Sequence, residues 1–193
     1  MSIFHISKFP FNRALRILLI SNAMVLIAGA MLGPIYALFV EQTGGDLLDA
    51  SLAGSVFAFA AGITVLLSGK YADKIKQKNI IVIIGYIIMG IGFLLYTMVN
   101  SMQTLLLVQI VIGFGGAIYN PSFDALYSES LDQGKNATEW GAWEAINYFS
   151  IAVGAIIGGF IVTNFGFTPL FVVMSLLCFL SALYLYKIPK KIL

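Results

Sequence analysis

Charged side chains are scarce in this sequence: Asp, Glu, Lys and Arg make up 10% of its 193 residues. Soluble domains have about a quarter. Hydrophobic residues make up 60%, and the mean hydropathy is +0.94. This composition excludes a soluble globular domain and indicates an integral membrane protein in a lipid bilayer. At roughly 20 apolar residues per span, about six spans fill the chain and leave no room for a soluble domain.

Thiol and imidazole groups are nearly absent, because the chain has one cysteine, Cys178, and one histidine, His5. No second thiol is present to form a disulfide or a cysteine metal site within one chain, so we expect Cys178 to fill the core. The sequence also contains no H-E-x-x-H pair and no G-x-x-x-x-G-K-[ST] loop. We therefore expect no metal, no cofactor and no nucleic acid partner, and an enzyme is the least expected class.

Six long apolar segments are separated by short polar turns and loops. The first is too long for the apolar core of a secretory signal, which is about 7 to 15 residues, so it is interpreted as a membrane helix. Ser51 is predicted to cap the second helix. We predict a single all-α domain over residues 1–193, with helices at about 13–40, 48–71, 79–99, 104–128, 138–165 and 169–186.

The charges are distributed unequally between the two sides of this predicted bundle. The outer turns hold only Glu41, Asp46 and Asp49. Every Lys and Arg falls on the other side: Lys8, Arg13, Arg16, Lys70, Lys74, Lys76, Lys78, Lys135, Lys187, Lys190 and Lys191. By the positive-inside rule, both termini are predicted to be cytoplasmic in a multi-pass protein of the cell (inner or plasma) membrane.

The stretch from Gly69 to Lys78 is the only strongly charged run between two long apolar segments, so we interpret it as a water-side loop. It resembles the loop between helices 2 and 3 of major facilitator superfamily transporters, whose pattern is G-x-x-x-D-[RK]-x-G-[RK]-[RK]. Gly69, Asp73, Lys74 and Lys78 match that pattern, while Lys76 replaces its glycine and Gln77 one basic residue.

Two glycine-rich segments extend the resemblance over the rest of the chain. Residues 113–117, followed by Asn120 and Pro121, are similar to the family's helix 4, and residues 154–159 are similar to its helix 5 motif. Two positions differ from the drug/proton antiporter form. Gln109 stands where many proton-coupled members have arginine, and Ala155 stands where the antiporter motif has proline.

The resemblance implies one half of a transporter, because the family has twelve helices in two related halves with substrate between them near mid-membrane. The basic segment 187–193 reads as a terminus, so we expect two copies to pair about a C₂ axis. The hypothesis is a homodimeric secondary transporter, acting by alternating access on a small molecule and serving efflux. Alternatives are a heterodimer, a truncated N-terminal half, and a non-transporting subunit or assembly factor.

The resemblance also implies a cytoplasmic latch between the two halves. The family places the loop carboxylate near the N-terminus of a helix in the opposite half, where free N–H groups favour an anion. Here Asp73 would meet the partner's fifth helix near Thr138, and Asp124 would pair with Lys76 or Lys78.

Polar residues at membrane depth are costly, so they are the candidate substrate and coupling groups. On the fifth helix, Trp140, Glu144, Asn147 and Tyr148 follow at spacings that favour one face. We expect Glu144 to hold a proton or another coupling ion, or to meet a cationic substrate.

Helices 4 and 1 supply the remaining candidates. Helix 4 offers Gln109, Tyr119 and Asn120, and helix 1 offers Asn22 and Tyr36. Gly33 and Pro34 would let the outer part of helix 1 bend. A lipophilic or cationic substrate is expected. The aromatic residues Phe57, Phe59, Phe93 and Tyr96 are assigned to the core or to lipid contact.

Overall fold

The structure is a computed structural model that describes residues 11–75, 77–189 and 192. The predictions that involve His5, Lys8, Lys76, Lys190 and Lys191 fall outside these residues.

The described residues form helices joined by short connections. Six helical segments in this part of the chain are long and apolar enough to cross a membrane, which confirms the predicted all-α membrane fold. When the 3₁₀ turns Gly33–Ile35 and Tyr96–Met98 are counted as parts of their spans, each predicted helix end lies within two residues of an observed span end. The helices are α1 (Arg13–Leu32), α2 (Tyr36–Gln42), α3 (Leu47–Ala72), α4 (Lys78–Leu95), α5 (Met102–Glu129), α6 (Asn136–Phe165) and α7 (Phe167–Tyr186).

The first span is divided at the position where the sequence predicts a bend. A 3₁₀ turn, Gly33–Ile35, separates α1 from α2. Pro34 has no N–H to donate, so a regular helix cannot continue through it with all its hydrogen bonds. The C-terminal part of the span is therefore a short separate helix, which packs against α3.

Side chains cap the N-terminal ends of two spans. Asp46 and Asp49 form a reciprocal capping box at the start of α3, and Ser101 and Thr104 form another at the start of α5. Each box satisfies N–H groups that have no partner within the helix. The prediction that Ser51 caps this helix is wrong, because Ser51 lies inside α3 and donates its hydroxyl to the Leu47 carbonyl.

The helices form two rows. In the front row α3 packs along α5 and α1 packs along α6, with a smaller contact between α5 and α1. Behind this row α4 packs against α5, α7 packs against α1, and α4 and α7 pack against each other. The order of the front row is therefore α3, α5, α1, α6. Most of the length of α3 and α6 is exposed, because these helices are the two ends of the row.

Glycines bring the backbones of neighbouring helices into close contact. A Cβ atom at Gly158 would lie 1.9 Å from the Met31 carbonyl oxygen of α1, and one at Gly113 would lie 2.6 Å from the Phe57 carbonyl oxygen of α3. Small residues are typical of such interfaces between membrane helices. Cys178 is fully buried in α7, as predicted for a core residue.

Candidate functional site

An open groove of about 300 Å³ lies between α1 and α5. Its floor comes from α4 and α7, and it occupies the half of the bundle in which the α2–α3 and α4–α5 connections lie. Apart from Tyr36, Tyr96 and Gln109, its lining is apolar or glycine. The lining residues are Gly29, Leu32, Gly33, Tyr36, Gly54, Phe57, Met89, Phe93, Tyr96, Gln109, Ile112 and Met174.

Two of the predicted substrate residues meet in this groove. The Gln109 side-chain amide donates a hydrogen bond to the Tyr36 hydroxyl, joining α5 to α2. Gln109 itself is buried, so the pair forms part of a preformed wall. Phe57, Phe93 and Tyr96, which the sequence assigned to the core or to lipid contact, also line the groove. Phe93 and Tyr96 are buried, as that assignment predicts. No periodicity signal distinguishes these three from other apolar residues of their helices.

Three other predicted substrate residues lie elsewhere on α1 and α5. Asn22 is buried, and its side-chain oxygen accepts a hydrogen bond from the Tyr86 hydroxyl at 3.4 Å. Tyr119 packs against the same Tyr86 with ring centroids 4.9 Å apart. Both side chains therefore face α4 at the back of the bundle. Asn120, the next residue along α5, is exposed.

The predicted stripe on α6 is divided between the bundle and its surface. The Trp140 ring packs on Tyr127 of α5, with centroids 4.9 Å apart. Asn147 is half-buried, whereas Glu144 and Tyr148 are exposed. Glu144 lies outside the groove of this chain, on the helix at the end of the front row.

The predicted latch residues lie at the opposite end of the bundle from the α2–α3 turn. Gly69 lies in the last turn of α3, and Asp73 and Lys74 follow it with exposed side chains. Lys78 forms its salt bridge with Glu129, at 2.6 Å, rather than with Asp124. Asp124 is exposed on α5.

A polar network that the sequence did not reveal ties three segments together at this end. Asn12 caps α1, and its side-chain amide donates to the Ser130 carbonyl at 2.7 Å and to the Asp132 carboxylate at 3.1 Å. The Lys135 ammonium lies 3.0 Å from the same carboxylate. These contacts, the Asn12 amide first, hold the pKa of Asp132 below its ordinary value.

Glu139 is the buried member of this network. Its side chain is fully buried at the start of α6, and its Oε2 atom accepts the Asp132 backbone N–H at 2.9 Å. The Tyr127 hydroxyl donates to its backbone carbonyl. Its other carboxylate oxygen has no hydrogen-bond partner among the described residues. Glu139 is the second residue of the helix predicted over 138–165, and nothing near it in the sequence indicates burial, because Asn12, which binds the loop, lies far away in sequence.

The family can be identified by comparison with known proteins. The family model for the Major Facilitator Superfamily matches residues 18–192, which is most of the chain and covers all six spans except the first five residues of the first one. The chain belongs to the Major Facilitator Superfamily. The groove between α1 and α5 is accordingly a groove within a major facilitator bundle. No group of His, Cys, Asp and Glu in the described part of that bundle could hold a metal ion.

Known relatives of this major facilitator chain differ in length. The uncharacterised MFS-type transporter YitZ of Bacillus subtilis is 24% identical over 83% of this chain and 97% of its own length. The quinolone resistance protein NorA of Staphylococcus aureus is 21% identical over 93% of this chain but 47% of its own length. The chain thus spans about half the length of its longer curated relatives.

A solved structure shares the fold. The crystal structure of the POT family transporter PepTSo superposes with a TM-score of 0.74 at 18% identity, over 93% of this chain and 37% of that one. One bundle of the larger transporter therefore corresponds to this chain in fold.

Proposed function

We propose that this chain is a half-transporter, in which two copies pair in the cell membrane and move a small molecule by alternating access. The observation that carries the proposal is the open front face, where the groove lies unenclosed between α1 and α5 and the outermost helices, α3 and α6, are mostly exposed. The proposed direction is efflux, and both termini are proposed to be cytoplasmic. The family membership, the fold and a relative of similar length support this function.

A two-fold axis in front of the groove would enclose it between two identical walls. Because α3 and α6 are the two ends of the front row, a two-fold rotation about that axis brings α3 of each copy next to α6 of the other. The interface would therefore contain two equivalent α3–α6 contacts. This arrangement places the exposed Asp73 near the N-terminus of the partner's α6, where helix N–H groups favour an anion. It also places Glu144, the proposed coupling group, at the interface.

The pairing is tested by the mass of the purified protein in lipid nanodiscs together with cross-linking. In a Cys178→Ser background, Phe59→Cys on α3 and Val153→Cys on α6 introduce exposed thiols at similar distances from the outer helix ends. A bifunctional thiol reagent is expected to yield a two-chain product. The control pair, Ile91→Cys and Leu176→Cys, lies on the exposed surfaces of α4 and α7 and is expected to yield none.

A mass of one chain, or equal cross-linking of the two cysteine pairs, would contradict the homodimer. Transport is tested separately, by screening radiolabelled amphiphiles for protein-dependent counterflow in proteoliposomes. If a two-chain protein moved none of them, it would favour a non-transporting subunit instead. Transport that required a second, different chain would favour the heterodimer.

The latch gives a further prediction. Asp73→Asn removes the charge that the partner's helix N-terminus would stabilise, at a cost of about 1 kcal/mol. Transport is therefore expected to slow about fivefold, with little change in substrate affinity. Initial rates and equilibrium binding in the same liposomes measure the two effects, with Glu41→Gln at the exposed outer end of α2 as the control. A loss of affinity as large as the loss of rate would contradict the latch.

A further inference from the structure

The described walls of the groove contain no charged side chain. Their polar groups are the Gln109 amide and the hydroxyls of Tyr36 and Tyr96, and the other lining residues are aliphatic, aromatic, methionine or glycine. Glu144, the acid predicted to meet a cationic substrate, is exposed on α6 and does not line the groove. Asp124, predicted as a latch residue, is exposed on α5 and also lies outside the lining.

A permanent cation would bind poorly in such a groove. Moving an ionised group from water into an apolar site costs far more than moving a neutral one, unless an opposite charge is present to pair with it. A neutral apolar molecule has no such cost and gains from burial of its surface. The lining therefore favours uncharged ligands.

The hydrogen bond between Gln109 and Tyr36 adds a directional requirement. Gln109 donates this bond, so the Tyr36 oxygen is the acceptor, and the Tyr36 hydroxyl donates no hydrogen bond to another described residue. Tyr36 is half-buried and lines the groove, so a bound molecule can accept a hydrogen bond from it. An acceptor such as a carbonyl or aromatic nitrogen would satisfy this donor.

We infer that the groove selects an uncharged, compact, largely aromatic or aliphatic molecule that carries a hydrogen-bond acceptor, and that it discriminates against cations. The inference rests on the proposed transport function only in taking this ligand to be the substrate. The cavity of about 300 Å³ in each copy is at the small end of ligand pockets.

Gly54 provides a way to test this groove. A Cβ atom built on Gly54 meets nothing within 4 Å, so a larger side chain there would occupy the groove without displacing the bundle. Gly62 also meets nothing within 4 Å, is exposed on the same helix and does not line the groove. Gly54→Leu and Gly62→Leu therefore form a matched pair that add the same side chain to α3.

The experiment compares two photoreactive probes that differ in charge. The full chain in phosphatidylcholine nanodiscs is irradiated with 3-benzoylpyridine, which is neutral with two acceptors, or with its N-methylpyridinium cation. Labelled peptides are then located by mass spectrometry. The neutral probe is expected to label groove residues such as Met89 and Phe57, at least tenfold more than the cation. Each variant is checked for folding by gel filtration before labelling.

The variants establish where and how the probe binds. Gly54→Leu is expected to abolish groove labelling, whereas Gly62→Leu retains it. Tyr36→Phe keeps the ring but removes the donor, so labelling at a limiting probe concentration should fall about fivefold, the effect of one hydrogen bond. Equal or stronger labelling by the cation, equal labelling of the two leucine variants, or no groove labelling would each overturn the inference.

This experiment is independent of the proposed transport function, because labelling requires neither translocation nor pairing. Groove labelling in a protein that transports nothing would overturn the proposed function alone. Transport of cations by a protein whose groove rejects them would overturn the substrate class alone.

Discussion

Gly158→Ala is expected to destabilise the bundle by about 3 kcal/mol or more, the upper range for overpacking a close contact. The added Cβ would lie 1.9 Å from the Met31 carbonyl oxygen and 2.6 Å from its carbon. Both are backbone atoms, so no side-chain rotation can relieve the clash, and α6 must move away from α1. Thermal unfolding in detergent, followed by circular dichroism, measures the loss.

The adjacent glycine is the control for this substitution. A Cβ atom on Gly159 meets nothing within 4 Å, so Gly159→Ala should leave the stability of the single chain unchanged or slightly raised. Equal melting temperatures for the two variants would show that α1 and α6 are not in backbone contact at Gly158.

Glu139→Ala is expected to lower the free energy of unfolding by about 2 to 4 kcal/mol. The substitution removes the acceptor for the Asp132 backbone N–H and leaves a cavity where a fully buried side chain lay. The connection between α5 and α6 should detach from α1 as a result. Hydrogen exchange of residues 130–136, measured by mass spectrometry, would report that loss directly.

Two comparisons distinguish this effect from a general loss of charge. Glu139→Gln keeps an oxygen that can accept the Asp132 N–H, so most of the stability should remain. Glu41→Ala removes an exposed acid and should change stability by less than about 0.5 kcal/mol. A large loss of stability in Glu139→Gln with little in Glu139→Ala would contradict the role assigned to the hydrogen bond.

The spans could be predicted closely because the bilayer allows few alternatives. A backbone without water must satisfy its own hydrogen bonds, so each long apolar run becomes a helix and ends where polar residues begin. The polar turn at residues 100–104 marks a boundary between two helices, and Pro34 marks the interruption of the first span. Both are visible in the local sequence. The capping of α3 was misassigned because two acids, Asp46 and Asp49, share the task predicted for Ser51.

The direction in which each helix faces was less predictable. Spacing places Trp140, Glu144 and Tyr148 near one another on α6, but the contacts of Gly158 with α1 determine which of them point outward. Tyr119 and Asn120 are neighbours about 100° apart on α5, so one faces α4 while the other is exposed. Tertiary packing determines which of these side chains are buried and which are exposed, and a single sequence does not show that packing.

The network around Glu139 was missed for a related reason. Its contacts join Asn12 to Asp132, which are separated by 120 residues, and Lys135 looked like one more basic residue of a cytoplasmic loop. Each residue taken alone has an ordinary explanation. Only the folded chain brings them together around a buried carboxylate.

The glycine contacts divide the front row into two firmly joined pairs of helices. Backbone meets backbone at Gly158 between α6 and α1, and at Gly113 between α5 and α3. Across the groove, the hydrogen bond between Gln109 and Tyr36 joins side chains instead. Substitutions that reshape the groove can therefore accumulate without disturbing the contacts that hold the protein together. Descendants of this chain could acquire new selectivity while keeping the same stable scaffold.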